Sequence, residues 1–219
     1  MIKLLNLLFD SEPVVVHCPG PLHENWEFFA EEVFASAPQS RPSRESATFL
    51  TWHGPDRAEK PNGILERCAA RHGCEFVVLR HEGADWTNAR KLAMTAEALE
   101  KTDAEFVVGM DSCDVLLVDH PDEIVHRFRT HFACDLLFNA TGSACWPELP
   151  ELVMFESSLP GARSSHGRCW LNSGAFVGRT SFCRDYFRAL TEFAGANGYE
   201  NDQTVAKATW PPYLSLIHI

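Results

Sequence analysis

The sequence predicts an α/β fold, with a mostly parallel sheet and helices on both faces, and three observations carry that expectation. Short apolar runs without polar alternation recur along the chain, segments of helical apolar spacing separate them, and Gly or Pro residues punctuate the joins. A strand buried on both faces reads as an unbroken apolar run, because only a strand with one wet face needs to alternate. Such strands separated by helices of roughly ten to fifteen residues indicate a parallel sheet covered on two sides.

The elements follow in order. Val14-Val15-Val16-His17 is a β-branched run ended by Cys18-Pro19-Gly20, and Trp26, Phe28, Phe29, Val33 and Phe34 then recur at helical spacing. Ala37 to Ser46 holds two prolines and little that can be buried, so it reads as a loop joining elements of one domain. Thr48 to Trp52 reads as a strand closed by His53-Gly54-Pro55. Ile64, Leu65, Cys68 and Ala69 make one helical face that Gly73 stops. Phe76 to Leu79 is a further strand, and Thr87 to Lys101 is a helix of good intrinsic formers with Leu92, Ala96 and Leu99 inward. Phe106 to Met110, Leu136 to Phe138 and Gly174 to Val177 read as strands, and Ser181 to Phe193 as a helix.

Bulk properties exclude several classes. The 219 residues with 45% hydrophobic content suffice for one sizeable core, so a single domain is expected. A net charge of −11 opposes a nucleic-acid partner, because phosphate binding needs clustered Lys and Arg. A small anionic ligand stays compatible with that charge, since a bound divalent cation reverses the field inside one pocket. No apolar run reaches the roughly 18 residues of a membrane span, so a soluble chain is expected. The eight cysteines form no Cys-x-x-Cys pair and no spacing typical of structural zinc, which favours buried, reduced thiols. The stretch Met1 to Phe9 is followed by no small-residue cleavage site, which favours a cytoplasmic setting.

Asp111-Ser112-Cys113-Asp114 directly follows the buried run Phe106 to Met110. Both acids therefore sit at the carboxyl end of a strand, where open α/β sheets bind ligands. Two carboxylates in one tight turn can face one cation, and their hard oxygens suit Mn²⁺ or Mg²⁺ shared with phosphate oxygens. Such a metal acts as a Lewis acid on a departing nucleoside diphosphate. The bland alternative is a capped turn with one solvated acid, and spacing alone does not decide between the two.

These residues belong to a wider pattern that resembles the glycosyltransferase domain of the procollagen lysyl hydroxylase family. That family transfers glucose from UDP-glucose to galactosyl-hydroxylysine. The resemblance runs from about Thr48 to Tyr213. It is carried by Asp111-Ser112-Cys113-Asp114-Val115, Phe138-Asn139-Ala140, Cys145-Trp146-Pro147-Glu148, Leu171-Asn172-Ser173-Gly174-Ala175-Phe176-Val177-Gly178 and Asn201-Asp202-Gln203, in that order. It implies a GT-A-like, Rossmann-type fold, a UDP-sugar donor, a protein or glycan hydroxyl acceptor, and retention of anomeric configuration. Asp111 and Asp114 become the metal ligands. Thr51, Trp86, Lys91, Ser112, Cys113, Trp146, Asn172, Ser173 and Gly174 become donor contacts. Asp202 becomes the group that positions the acceptor or stabilises positive charge at the anomeric carbon, with Gln203 orienting it. Physically, Trp86 offers a flat face to ribose or uracil and Lys91 a point charge to the diphosphate, while Gly174 lets a ligand approach the backbone. Without the resemblance, Trp86 and Lys91 would read as a core aromatic and a solvated helix lysine.

The sequence also departs from the family. Cys113 replaces an aromatic residue, Thr141-Gly142-Ser143 stands where a glutamate is expected, and the acidic run before Asp202 is reduced to Glu200-Asn201. The family's third metal ligand, a histidine, is expected past Tyr213. The ending Leu214-Ser215-Leu216-Ile217-His218-Ile219 matches the translation of a transposase end sequence used in DNA library adapters. The expected organisation is thus one glycosyltransferase domain over 1–213, truncated at its C-terminus, with a non-native tail. Two other readings compete: a non-catalytic nucleotide-sugar-binding domain, and a metal-dependent phosphoesterase using Asp111 and Asp114.

Overall fold

A computed structural model of the chain describes residues 12–17, 26–35, 43–55, 63–142, 145–159, 163–164, 167–168, 170–213 and 217–218. The first ten residues, most of the 37–46 loop, and Leu214 to Ser215 lie outside the described residues. The chain forms β1 (Val15–His17), α1 (Trp26–Ala35), β2 (Ala47–His53), α2 (Ile64–His72), β3 (Val77–Arg80), α3 (Arg90–Glu100), β4 (Phe106–Asp111), β5 (Val115–Leu117) and α4 (Asp122–His131). β6 (Leu136–Thr141), α5 (Pro150–Ser158), β7 (Arg163–Ser164), β8 (Gly167–Arg168), β9 (Trp170–Arg179), α6 (Thr180–Asn197), α7 (Asp202–Thr209) and β10 (Ile217–His218) follow. Every strand and helix read from the sequence recurs, with shifted ends. The helix expected from Thr87 starts at Arg90, and the one expected over Ser181 to Phe193 runs from Thr180 to Asn197.

The main sheet has six strands in the order β10-β6-β9-β4-β2-β3. β2 pairs in parallel with β3 and β4, and β10 in parallel with β6, while β9 runs antiparallel between β4 and β6. The α/β class holds, but the sheet is mixed at its centre. That reversal matters for the site, because an antiparallel neighbour brings the start of β9 beside the end of β4, with Met110 opposite Ala175. Outside this sheet β1 pairs antiparallel with β5, which sets His17 opposite Val115.

Both faces are covered, as the unbroken apolar runs require. Leu50, Val107, Phe138 and Phe176 pack with Leu92 and Leu99 of α3, Leu190 of α6 and Val205 of α7. Their sequence neighbours Phe49, Phe106 and Val108 pack the other way, with Leu65 of α2, Trp26 of α1 and Phe128 of α4. Gly109 is required where these layers pinch: a Cβ there would lie 2.7 Å from the Trp52 ring. Gly73 ends α2 with φ 71°, a left-handed value that glycine adopts at little cost. The cysteine expectation holds for most of the thiols: the six described cysteines are free, and Cys68, Cys134, Cys145 and Cys183 are buried. No helix among the described residues is long and apolar enough to cross a membrane.

Candidate active site

The antiparallel contact of β4 and β9 builds the site. Asp111 ends β4, and Asp114 follows in the turn before β5. Asp202 and Gln203 form the first turn of α7, whose cap is the Asn201 side chain accepting from Thr204 N at 3.0 Å. Asn172, Ser173 and Gly174 lie in β9 between these acids. Ser173 Oγ donates to Asp202 Oδ2 at 3.0 Å, and Ser173 N donates to Gln203 Oε1 at 3.3 Å. Gln203 Nε2 in turn donates to the Trp146 carbonyl. Asn172 Oδ1 accepts from Gly174 N at 3.0 Å, which folds its side chain back over the strand.

Lys91 holds the centre. Its Nζ donates to Asp111 Oδ1 at 2.6 Å, lies 3.8 Å from Asp202 Oδ2, and sits 5.6 Å from the centre of the Trp52 ring. Burial works against the ammonium, yet the Asp111 and Asp202 charges outweigh it and raise the Lys91 pKa. For Asp111 burial is the largest influence and acts upward, Lys91 opposes it, and Asp202 and Asp114 add to it, leaving its carboxyl above the ordinary range. The imbalance is plain in the count: three carboxylates converge on one lysine. A pocket with that surplus favours a further cation.

His17 completes a cluster with the acid pair. Its Nε2 lies 3.2 Å from Asp114 Oδ2, and ligand atoms of His17, Asp111 and Asp114 all fall within 4.8 Å of one another. Asn139 Nδ2 donates to the other ring nitrogen, Nδ1, at 3.3 Å. Two carboxylates and an imidazole are a donor set suited to Mn²⁺ or a similar divalent ion. Among the described residues, His17 is the imidazole grouped with the acid pair. A cavity of about 510 Å³ meets the cluster at His17 and is lined there by Asn139 and Asn172 and elsewhere by apolar residues such as Val108 and Met110, while Asp111 and Asp114 are not part of its lining. Gly174 leaves room on the remaining side: a Cβ there would stand 2.8 Å from Asp111 Oδ2 and 3.0 Å from His17 Cε1.

The other sequence candidates are placed as follows. Ser112 is buried, and its hydroxyl donates to the Trp52 carbonyl at 3.4 Å, so it braces the metal turn against β2. Cys113 is exposed on that turn, with Sγ 3.8 Å from Asp114 Oδ1. Trp146 is 55% exposed. Trp86 is half-buried after β3, with its ring 5.8 Å from that of His81. Thr51 is fully buried within β2, so the residue that the sequence places at a strand end is covered by its neighbours. Trp52 and His17 were not read from the sequence as site residues. The signal for His17 was a lone imidazole closing a valine run, and for Trp52 nothing beyond its place beside Thr51.

A family model described as the PLOD GT domain matches residues 78–203, more than half of the chain. The match takes in Lys91, Asp111, Asp114, Trp146, Ser173 and Asp202, and leaves β1 and β2 outside it. No curated protein matches the chain.

Proposed function

The chain belongs to the PLOD glycosyltransferase-domain family, whose activity needs a nucleotide-sugar donor and an acceptor, and from that premise we propose a metal-dependent hexosyltransferase that uses a UDP-sugar. UDP-glucose is the first donor to test, and a protein or glycan hydroxyl is the acceptor. Residues up to Tyr213 form one domain on this reading. The observation that carries the proposal is the cluster of His17, Asp111 and Asp114, joined through Lys91 to Asp202, which Ser173 holds.

In this reading Asp111, Asp114 and His17 hold Mn²⁺ or Mg²⁺. The bound ion supplies Lewis-acid stabilisation of the departing diphosphate. Lys91 contributes a second, fixed positive charge, already oriented by Asp111 and Asp202, so little reorganisation is needed as negative charge develops. Asp202, held by Ser173 Oγ and near Lys91, would stabilise positive charge at the anomeric carbon or orient the acceptor hydroxyl. Gln203 fixes the helix start by bridging Ser173 N and the Trp146 carbonyl. Trp86 and Trp146 offer flat faces to the nucleoside and the sugar. Retention of configuration is proposed with the rest.

A screen of UDP-sugars for Mn²⁺-dependent hydrolysis and transfer tests this directly. The expected result is turnover of one UDP-hexose that disappears in Asp111→Ala and Asp114→Ala while far-UV circular dichroism is unchanged. UDP binding without any cleavage would leave a nucleotide-sugar-binding domain instead. Phosphate release from simple esters, with no preference for UDP, would point to a phosphoesterase.

A further inference from the structure

A second charged cluster lies behind Gln203, and the mechanism above does not use it. Lys207 of α7 is fully buried; its ammonium pairs with Glu156 of α5 at 2.8 Å and donates to Cys145 Sγ at 3.2 Å. Glu156 is 1% exposed, and its second oxygen accepts from Leu171 N, in β9, at 2.9 Å. Cys145 Sγ lies 4.0 Å from Glu156 Oε1, which closes a ring of three polar side chains inside the protein. Burial is the largest influence on the Cys145 thiol and raises its pKa.

A buried ion pair is a weak source of stability, because desolvation of both charges offsets most of their attraction. What this one does have is reach. It joins α5, α7, the start of β9 and the segment at Cys145, and each of the last three carries a site residue next to its point of attachment. Leu171 precedes Asn172 and Ser173, Lys207 lies on the helix that begins with Asp202 and Gln203, and Cys145 precedes Trp146. Gln203 then ties the same three pieces together from the site side, through Ser173 N and the Trp146 carbonyl. Trp146 accepts from Gln203 through its backbone carbonyl and is 55% exposed.

We propose that Lys207 and Glu156 are positioning residues that set Trp146 against Asp202, so that the indole forms a wall for the transferred hexose. This rests on the glycosyltransferase reading for the identity of the ligand, but not for the geometry. The neutral double variant Lys207→Met/Glu156→Gln removes both charges and keeps an acceptor for Leu171 N, whereas Glu156→Gln alone would strand a buried ammonium.

Three readouts decide it: acrylamide quenching of Trp146, taken as the difference between each background and the same background carrying Trp146→Phe; the KM for the UDP-hexose; and the Kd for UDP alone. In the double variant the Trp146 quenching is expected to change, the KM for the UDP-hexose to rise about tenfold, and the Kd for UDP to stay within about twofold, since displaced positioning groups cost up to a hundredfold in rate. Unchanged Trp146 quenching overturns the proposal. So does a rise in the Kd for UDP that keeps step with KM, because that is general damage. If the wild-type chain turns over no UDP-sugar, the functional reading fails, and the quenching arm still decides whether Lys207 and Glu156 place Trp146. Should that double variant not fold, the same readouts on Lys207→Gln/Glu156→Gln, which replaces the ion pair by two neutral amides, decide.

Discussion

Two clusters of charge lie at opposite ends of Gln203, and they are built on opposite principles. Behind it, Lys207 and Glu156 are one cation and one anion, both sealed from water and matched in number. In front, Asp111, Asp114 and Asp202 share Lys91, with His17 beside them, and these side chains keep some contact with solvent. The matched pair leaves nothing for a ligand to supply. The unmatched group holds surplus negative charge that folding alone would not favour, and Asp202 and Asp114 add to the burial that chiefly raises the Asp111 pKa. Where a fold tolerates such an imbalance at a strand end beside a cavity, ligand binding is the natural account.

The sharpest way to break the comparison is to remove an acid from each cluster. Asp111→Ala is predicted to lower kcat/KM by on the order of a thousandfold, the scale of losing one preorganised electrostatic contact to the reacting group. Its melting temperature should hardly fall, because the lost carboxylate was destabilised by burial. Glu156→Ala is predicted to do the reverse to stability: it strands a buried ammonium, at a cost of about 3–5 kcal/mol. A thermal melt in which Asp111→Ala is the more damaging of the two would remove the distinction between a ligand site and a structural pair.

Lys91→Met comes next in size. It leaves three carboxylates with no fixed cation, and we expect a loss of about 2–3 kcal/mol, smaller than for a fully buried pair because the Lys91 side chain is 15% exposed. The sign follows from its raised pKa: the stabilising contribution of Lys91 is fully present at neutral pH and is lost only in strong alkali. Mn²⁺ should stabilise Lys91→Met by more than it stabilises the wild type, whereas Glu156→Ala, whose ion site is untouched, should gain only the wild-type shift; melts with and without the ion measure both.

The two clusters also differ in how much of them the sequence reveals. Asp111 and Asp114 are legible because an apolar strand announces its own carboxyl end, and ligands gather there. Strands were legible for the same reason, as unbroken apolar runs, but the direction of β9 was not, since neighbouring strand directions follow from connections rather than from composition. His17 was hidden by distance, 97 residues from Asp114 in the chain. Lys207 was hidden by type: a lysine on a short helix reads as solvated, and only the meeting of α5, α7 and β9 buries it. Thr51 shows the converse, a residue beside Trp52 in sequence that is fully buried within the sheet.

The mildest test is acid. Asp111 carries a folded-state pKa above the ordinary 3.8 of an aspartate, so its carboxylate destabilises the metal-free fold at neutral pH, and that penalty disappears as pH falls through the raised value. The ion needs the same carboxylate deprotonated. Acidification from that raised value down toward the ordinary one should therefore lift the melting temperature of the metal-free protein by about a degree or two relative to Asp111→Ala, while shrinking the extra stabilisation that saturating Mn²⁺ confers. Lys207→Met/Glu156→Gln leaves Asp111, Asp114 and His17 in place, so it should keep both trends. Parallel pH curves with and without Mn²⁺ would show that the front cluster, too, is structural and takes no ion.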